Sequence, residues 1–236
     1  MKELKARLIE RIKRTESIES FRFAPAERVD FIAGQFMLVV LDEKNRENKE
    51  LNKYLSFSCS PLRPYIEFSK RLSSSAFSKR LRGLKPQDEV LLKAPLGACV
   101  FKEEYKRIAF LIGGIGITPV ISIIEYVTDK KIASDTVLFY SNRNEDEIAF
   151  KSELDKWQAQ NDKLKVYYTV TDCQPKDSSC FFGRISKELL QEKLPDFKER
   201  TIFIFGPPRM VEAINALCVE LGCDKNNIKT ESFIGY

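Results

Sequence analysis

No histidine occurs anywhere in the 236 residues, and that absence removes whole classes of chemistry. A Ser-His-Asp triad, a Cys-His nucleophile pair, a His-ligated zinc and an imidazole general base are all excluded. Cysteine occurs six times, but the closest two, Cys218 and Cys223, stand five positions apart. Without a C-x-x-C pair neither a zinc ribbon nor the common iron–sulfur spacings can be built. The expectation is scattered reduced thiols in a cytoplasmic protein, with no metal. A long hydrophobic run is missing too. The longest candidate, Ile108 to Ile124, has 17 uncharged residues but contains three glycines and a proline, and it falls short of the roughly 18–20 residues of a membrane span. It reads as a buried strand, a glycine loop and a helix. The opening MKELKARLIERIKR alternates charged and apolar residues, without the apolar centre of a signal peptide.

What is present is an ordinary globular composition, 43% hydrophobic and 31% charged, with 39 Lys+Arg against 34 Asp+Glu and a net charge of +5. Any enzyme made from it draws its hard chemistry from a cofactor. The charge is unevenly placed. Residues 1–103 carry 21 basic and 14 acidic side chains, a net +7, and residues 104–236 carry 18 and 20, a net −2.

The pattern changes near the same point. Strands are predicted at Leu4–Ile12, Phe21–Phe23, Gln35–Leu41, Leu55–Cys59, Tyr65–Ser69 and Val90–Lys93, with a solvated hairpin loop at Asp42–Glu50 and a short helix at Ala76–Leu81. Short strands separated by turns suggest a small antiparallel barrel. Further on, strands at Arg107–Ile112, Thr136–Tyr140, Lys165–Thr169 and Thr201–Phe205 alternate with helices at Pro119–Thr128, Ile148–Gln160, Lys187–Glu192 and Pro208–Leu221. That alternation means a doubly wound parallel sheet. Two domains follow, at 1–103 and 104–236.

The strongest local feature is Gly113-Gly114-Ile115-Gly116-Ile117-Thr118-Pro119, which leaves an apolar strand and opens a helix. Thr118 is the expected N-cap and Pro119 the first helical residue. Glycines let the backbone approach a ligand, and a helix start offers free N–H groups to an anion such as a dinucleotide pyrophosphate. The loop departs from G-x-G-x-x-G, because Pro119 replaces the third glycine, and the next strand ends in Ser141-Asn142-Arg143 where an acid would hold a ribose. A tight turn without a ligand is the competing reading of this loop alone. A second loop, Gly206-Pro207-Pro208, also joins a strand end to a helix.

Seven segments in order resemble the ferredoxin–NADP reductase superfamily: Ala33-Gly34-Gln35-Phe36, Lys53 through Pro61, Ser75-Ala76-Phe77-Ser78, Ala94-Pro95-Leu96-Gly97, Gly113 through Pro119, Phe205 through Pro208, and Glu231-Ser232-Phe233-Ile234-Gly235-Tyr236. The resemblance implies a six-stranded Greek-key FAD-binding barrel followed by an NAD(P)-binding α/β domain. It implies that Lys53, standing where the family has arginine, meets the FAD pyrophosphate together with Lys70, Ser75 and Ser78, and that Ser56 lies by flavin N5. Leu55 stands where the family has a stacking aromatic, with Tyr54 beside it on the opposite strand face. Gly113, Gly114, Gly116, Thr118, Arg143, Gly206, Pro207 and Pro208 are implied for the nicotinamide nucleotide. Phe205 replaces a cysteine near the nicotinamide, and Tyr236 corresponds to a terminal aromatic over the flavin.

The activity implied is hydride transfer from NAD(P)H to FAD, then electron delivery to a separate acceptor such as ferredoxin, flavodoxin or an oxygenase component. Arg63, Lys70, Arg71, Lys79, Arg80, Arg82 and Lys85 are candidates for steering an acidic carrier; the competing reading is that the +7 serves solubility and meets the FAD phosphates. Two other functions stay open: a free-flavin reductase, and a non-catalytic flavin- or nucleotide-binding subunit of a redox complex. No nucleic-acid-binding module is present. Arg143 bears on the choice of NADH or NADPH without deciding it.

Overall fold

The computed structural model describes residues 2–233. They form two compact units, one comprising residues 2–101 with Thr118–Tyr126, the other Lys102–Ile117 with residues 127–233.

The first unit is a barrel of β1 (Lys2–Lys13), β2 (Ile18–Pro25), β3 (Phe36–Val40), β4 (Asn52–Ser56), β5 (Ile66–Arg71) and β6 (Glu89–Leu96), with α1 (Ala76–Arg82) between the last two strands. The order is β4-β3-β6-β1-β2-β5, every pair antiparallel. Phe57 then bridges to Phe68, and Ser58 N–H donates to the Glu67 carbonyl at 2.8 Å, so the end strands approach closure. Sequence alternation drives this arrangement: Leu4, Ala6 and Leu8 are buried while their neighbours in β1 face water. The alternation stops at a bulge between Leu8 and Glu10, which leaves Ile9 exposed. Phe21, Phe23, Phe57, Phe68 and Phe77 fill the interior, Phe68 stacking on both Phe21 and Phe23.

The strand expected at Leu55–Cys59 begins earlier. Residues Asn52–Ser56 pair with β3, and the chain then changes partner at Phe57, which is what brings the ends of the sheet together. The hairpin loop is held by Asn52, whose Oδ1 accepts from the N–H groups of Leu41 and Asp42 at 3.0 Å.

The second unit is a parallel sheet of β7 (Arg107–Gly113), β8 (Asp135–Asn142), β9 (Leu164–Val170), β10 (Cys180–Phe182), β11 (Thr201–Gly206) and β12 (Ile228–Ser232), in the order β10-β9-β8-β7-β11-β12. The helices are α3 (Lys151–Gln160), α4 (Lys187–Lys193) and α5 (Pro208–Glu220); α2 (Thr118–Asp129) begins immediately after a 3₁₀ turn at Gly114–Ile117. Thr118 is thus the first residue of α2 and not its cap, because the 3₁₀ turn runs straight into the helix. The helix predicted from Ile148 starts at Lys151, since Phe150 has φ +62° and breaks it. The edge strands β10 and β12 carry no strong pattern in the sequence. Each has one neighbour, and their short or polar runs (Cys-Phe-Phe and Ile-Lys-Thr-Glu-Ser) lack the continuous apolar signal of the central strands.

Candidate functional site

In the barrel unit, β4 and β5 carry basic residues. Lys53 pairs in register with Val39, and Lys70 on β5 is buried, with 8% of its surface exposed. Its ammonium donates to the Arg71 carbonyl at 2.8 Å. Burial, then the neighbouring charges of Lys53 and Arg71, bring its pKa down to about 8. Three cations thus lie within electrostatic reach of one another, one of them desolvated, which is the environment of an anion site.

Beside them in sequence, the start of α1 is built from serines. Ser75 caps the helix by accepting from Ser78 N–H at 3.3 Å, and Ser75 and Ser78 hydroxyls lie 3.0 Å apart. Ser73 joins through Ser75 Oγ at 3.1 Å. Ser75 is exposed and Ser78 fully buried. Tyr54 and Leu55 diverge as consecutive strand residues must: Tyr54 is 66% exposed with Phe36 edge-on at 5.7 Å, and Leu55 packs against the barrel core. Ser56 is buried opposite Phe36. Gly97 has φ +94°, and a side chain there would strike the Phe36 ring at 2.6 Å.

Of the seven cations proposed to steer a carrier, Lys79, Arg80, Arg82 and Lys85 are exposed. The other three are committed elsewhere: Arg63 is neutralised by Glu125 at 2.7 Å, Lys70 is buried, and Arg71 donates to Ser17 Oγ at 2.7 Å.

In the second unit the strand order reverses between β7 and β11, and the loops after those two strands are the two glycine loops. A crevice at such a switch point is where open α/β sheets bind ligands. The backbones touch here: a Cβ on Gly116 would lie 2.6 Å from the Phe205 carbonyl oxygen and 2.9 Å from Gly206 N, and one on Gly206 would lie 3.2 Å from Gly113 N. Gly113 also faces the Met210 sulfur, and Gly114 has φ +53°. Pro207 occupies the N-cap of α5 and Pro208 its first turn. Phe205 is fully buried, its ring 5.8 Å from Phe203 and 6.5 Å from Phe233. Arg143 is exposed after β8. Thr118 is buried and belongs with the barrel unit. Tyr236 lies outside the described residues.

Two residues escaped the sequence reading as individuals. Asn142 is buried at the end of β8 with neither amide atom hydrogen-bonded among the described residues. Glu231 on β12 pairs in register with Phe205 on β11, and burial pushes its carboxyl up to about 7. Only the closing segment Glu231–Tyr236 hinted at the second, and the first was marked only as part of Ser141-Asn142-Arg143 at the strand end.

Residues 110–216 match the family model of the oxidoreductase NAD-binding domain. The chain aligns over 98% of its length with a ferredoxin NADP+ reductase from Neisseria gonorrhoeae with bound FAD and NADP, covering 99% of that chain at TM-score 0.82 and 20% identity. The chain has the ferredoxin–NADP reductase-like two-domain fold. The chain is also 33% identical over 173 residues to NADH-cytochrome b5 reductase 2 of Debaryomyces hansenii, a match covering 71% of this chain and 58% of the relative. With NADH-cytochrome b5 reductase 1 of Emericella nidulans it shares 27% identity over 223 residues, covering 89% of this chain and 72% of the relative. It therefore spans little more than half the length of the first of these relatives.

Proposed function

We propose that the protein is an NAD(P)H-dependent flavoprotein reductase, with FAD held by residues 1–103, the nicotinamide nucleotide by residues 104–236, and a separate electron acceptor. The observation that carries the reading is the pair of glycine loops at the β7/β11 switch point, where backbone packs on backbone and only glycine fits. The cations and serines of the barrel supply the second support, because a buried lysine beside two other cations suits a pyrophosphate.

In this reading Lys53, Lys70, Ser75 and Ser78 hold the FAD pyrophosphate, the exposed Tyr54 gives its ring apolar contact while Leu55 packs into the barrel core behind it, and Ser56 serves near flavin N5. Gly113, Gly114, Gly116, Thr118, Gly206, Pro207 and Pro208 bind the nucleotide, Arg143 its ribose end, and Phe205 serves at the nicotinamide; the role for Tyr236 over the flavin rests on the resemblance alone, since that residue lies outside the described ones. FAD held by these residues would supply the exchange between two-electron hydride chemistry and one-electron transfer, and that chemistry requires no histidine. The exposed Lys79, Arg80, Arg82 and Lys85 suit an acidic carrier protein such as a cytochrome b5, ferredoxin or flavodoxin. Purified protein is expected to be yellow and to bleach anaerobically with NADH or NADPH. A colourless protein that neither binds FAD nor oxidises either nucleotide overturns the reading.

One observation favours a variant of it. Lys53 lacks the bidentate fork of an arginine, and Leu55 is turned to the barrel core instead of offering an aromatic face. Both suit a flavin that comes and goes as substrate. Loss of the yellow colour on gel filtration, with flavin reduction retained when free flavin is added, identifies that case.

A further inference from the structure

Helix α5 ends in a Schellman motif, and both of its diagnostic hydrogen bonds are present. Gly222, in the left-handed region at φ +86°, donates to the Val219 carbonyl at 2.9 Å, and Cys223 N–H reaches back to the Cys218 carbonyl at 3.0 Å. In this motif the third helical residue from the end and the second residue beyond the cap are brought face to face, and their side chains touch. Here those two positions are Cys218 and Cys223. Both are buried free thiols, 0% and 7% exposed, and each thiol is close enough to the other to shift its titration. A motif that normally joins two apolar side chains therefore joins two thiols.

We propose that Cys218 and Cys223 form an oxidisable dithiol, which a hydroperoxide converts to an intramolecular disulfide. The backbone clamp already supplies what a disulfide needs, two thiols on chain segments held at close range by the Cys223 N–H bond to the Cys218 carbonyl. The environment also orders the pair. Burial pushes Cys218 up to about 12. Cys223 is raised by burial as well, but the Cys218 hydrogen bond and the Lys198 charge both oppose this. The Lys198 ammonium lies 3.4 Å from where a Cβ on Gly222 would stand. Cys223 is therefore the attacking thiolate and Cys218 the resolving thiol.

The Cys223 sulfur attacks one peroxide oxygen, the O–O bond breaks, and the departing oxygen leaves as water or alcohol with the proton of the Cys223 thiol. The Cys218 sulfur then displaces the oxygen of the sulfenic acid, which leaves as water with the Cys218 proton as the S–S bond forms. Two thiols lose two electrons and one hydroperoxide gains them.

The test uses the full chain. Reduced protein is treated with hydrogen peroxide, quenched, unfolded, alkylated and digested with trypsin, which cuts after Arg209 and Lys225 and so leaves both cysteines in one peptide. The expected result is a peptide two hydrogens lighter that carries no alkyl group and regains two after dithiothreitol. Modification of the exposed Cys173 reports that the oxidant was effective. Cys223→Ser and Cys218→Ser are each expected to abolish the loss of two hydrogens, with the wild-type peptide as sufficient evidence if either variant fails to fold. The proposal is overturned if the wild-type peptide still carries two alkyl groups while Cys173 is oxidised. It is equally overturned if Cys223 accumulates as sulfinic acid with Cys218 still free, which is the outcome for a pair that serves only for packing.

Discussion

A buried lysine is costly unless something repays it, and Lys70 sits within reach of Lys53 and Arg71. An anion in the same place would restore its charge. Its lowered pKa gives a sign that can be checked. Lys70 is charged below about 8 and neutral above, so the flavin affinity of the apoprotein is expected to weaken as pH rises from 7 to 9, by about tenfold. Lys70→Arg should lose that dependence, because guanidinium stays charged throughout; fluorescence titration of FAD at each pH decides it.

Glu231 titrates in the other sense. Its folded carboxyl, at about 7, lies above the unfolded value, so the folded state holds a proton that the unfolded chain releases. Stability from this group falls as pH rises between about 4.5 and 7 and stays low above that. Glu231→Gln should therefore melt at the same temperature as wild type near pH 5 and higher at pH 8. Equal melting temperatures at both pH values would contradict the assignment. Neither behaviour is legible in sequence, where Lys70 and Glu231 are two among 73 charged residues; burial, which sets both, depends on what packs over them.

At the scale of elements, the glycine loops show why spacing alone fell short. The run Gly113–Gly116 announced a close approach but not its object. The structure shows that Gly116 faces the backbone of Phe205 and Gly206, 89 positions and more away. Gly116→Ala is expected to force these loops apart at a cost of about 1–3 kcal/mol and to abolish nucleotide binding, measured by thermal melting and NADH titration. A variant that keeps wild-type affinity would show the contact to be dispensable.

The barrel strands carry a second element of this kind. Glu67 on β5 is 1% exposed and accepts from Arg22 Nε at 2.6 Å, Arg14 at 3.2 Å and Ser58 Oγ at 3.1 Å. Ser58 continues through Ser69 to Ser20 at 2.8 and 2.6 Å. One carboxylate thus ties β2 and β5 to the turn just after β1 and to the chain after β4. Glu67→Ala, which leaves two partly buried guanidinium groups without it, is expected to cost about 3–5 kcal/mol, or about 10 °C in melting temperature. Sequence reading placed Glu67 in a strand but could not show that it faces two arginines 45 and 53 residues earlier.

At the scale of the molecule, the net +5 conceals +7 on residues 1–103 and −2 on the remainder. If an acidic carrier is the acceptor, its reduction should slow markedly between 50 and 500 mM salt, whereas hydride transfer to the flavin should not. Stopped-flow measurement of the two half-reactions separates them, and a salt-insensitive second half would remove electrostatic steering from the account. The structure has already narrowed the surface available for it, since Arg63 is spent on Glu125 and Lys70 is buried.

The sequence by itself determined the two architectures, because alternation with period two and strand–helix alternation are local patterns that each residue run carries within it. It determined the absence of imidazole chemistry and the positions of both glycine loops. The tertiary structure decided the rest. Edge strands β10 and β12, the change of partner at Phe57, the meeting of Gly116 with Phe205, and the depressed Lys70 and raised Glu231 all depend on residues distant in the chain. Burial and long-range pairing are properties of the packed chain, and no window of sequence contains them.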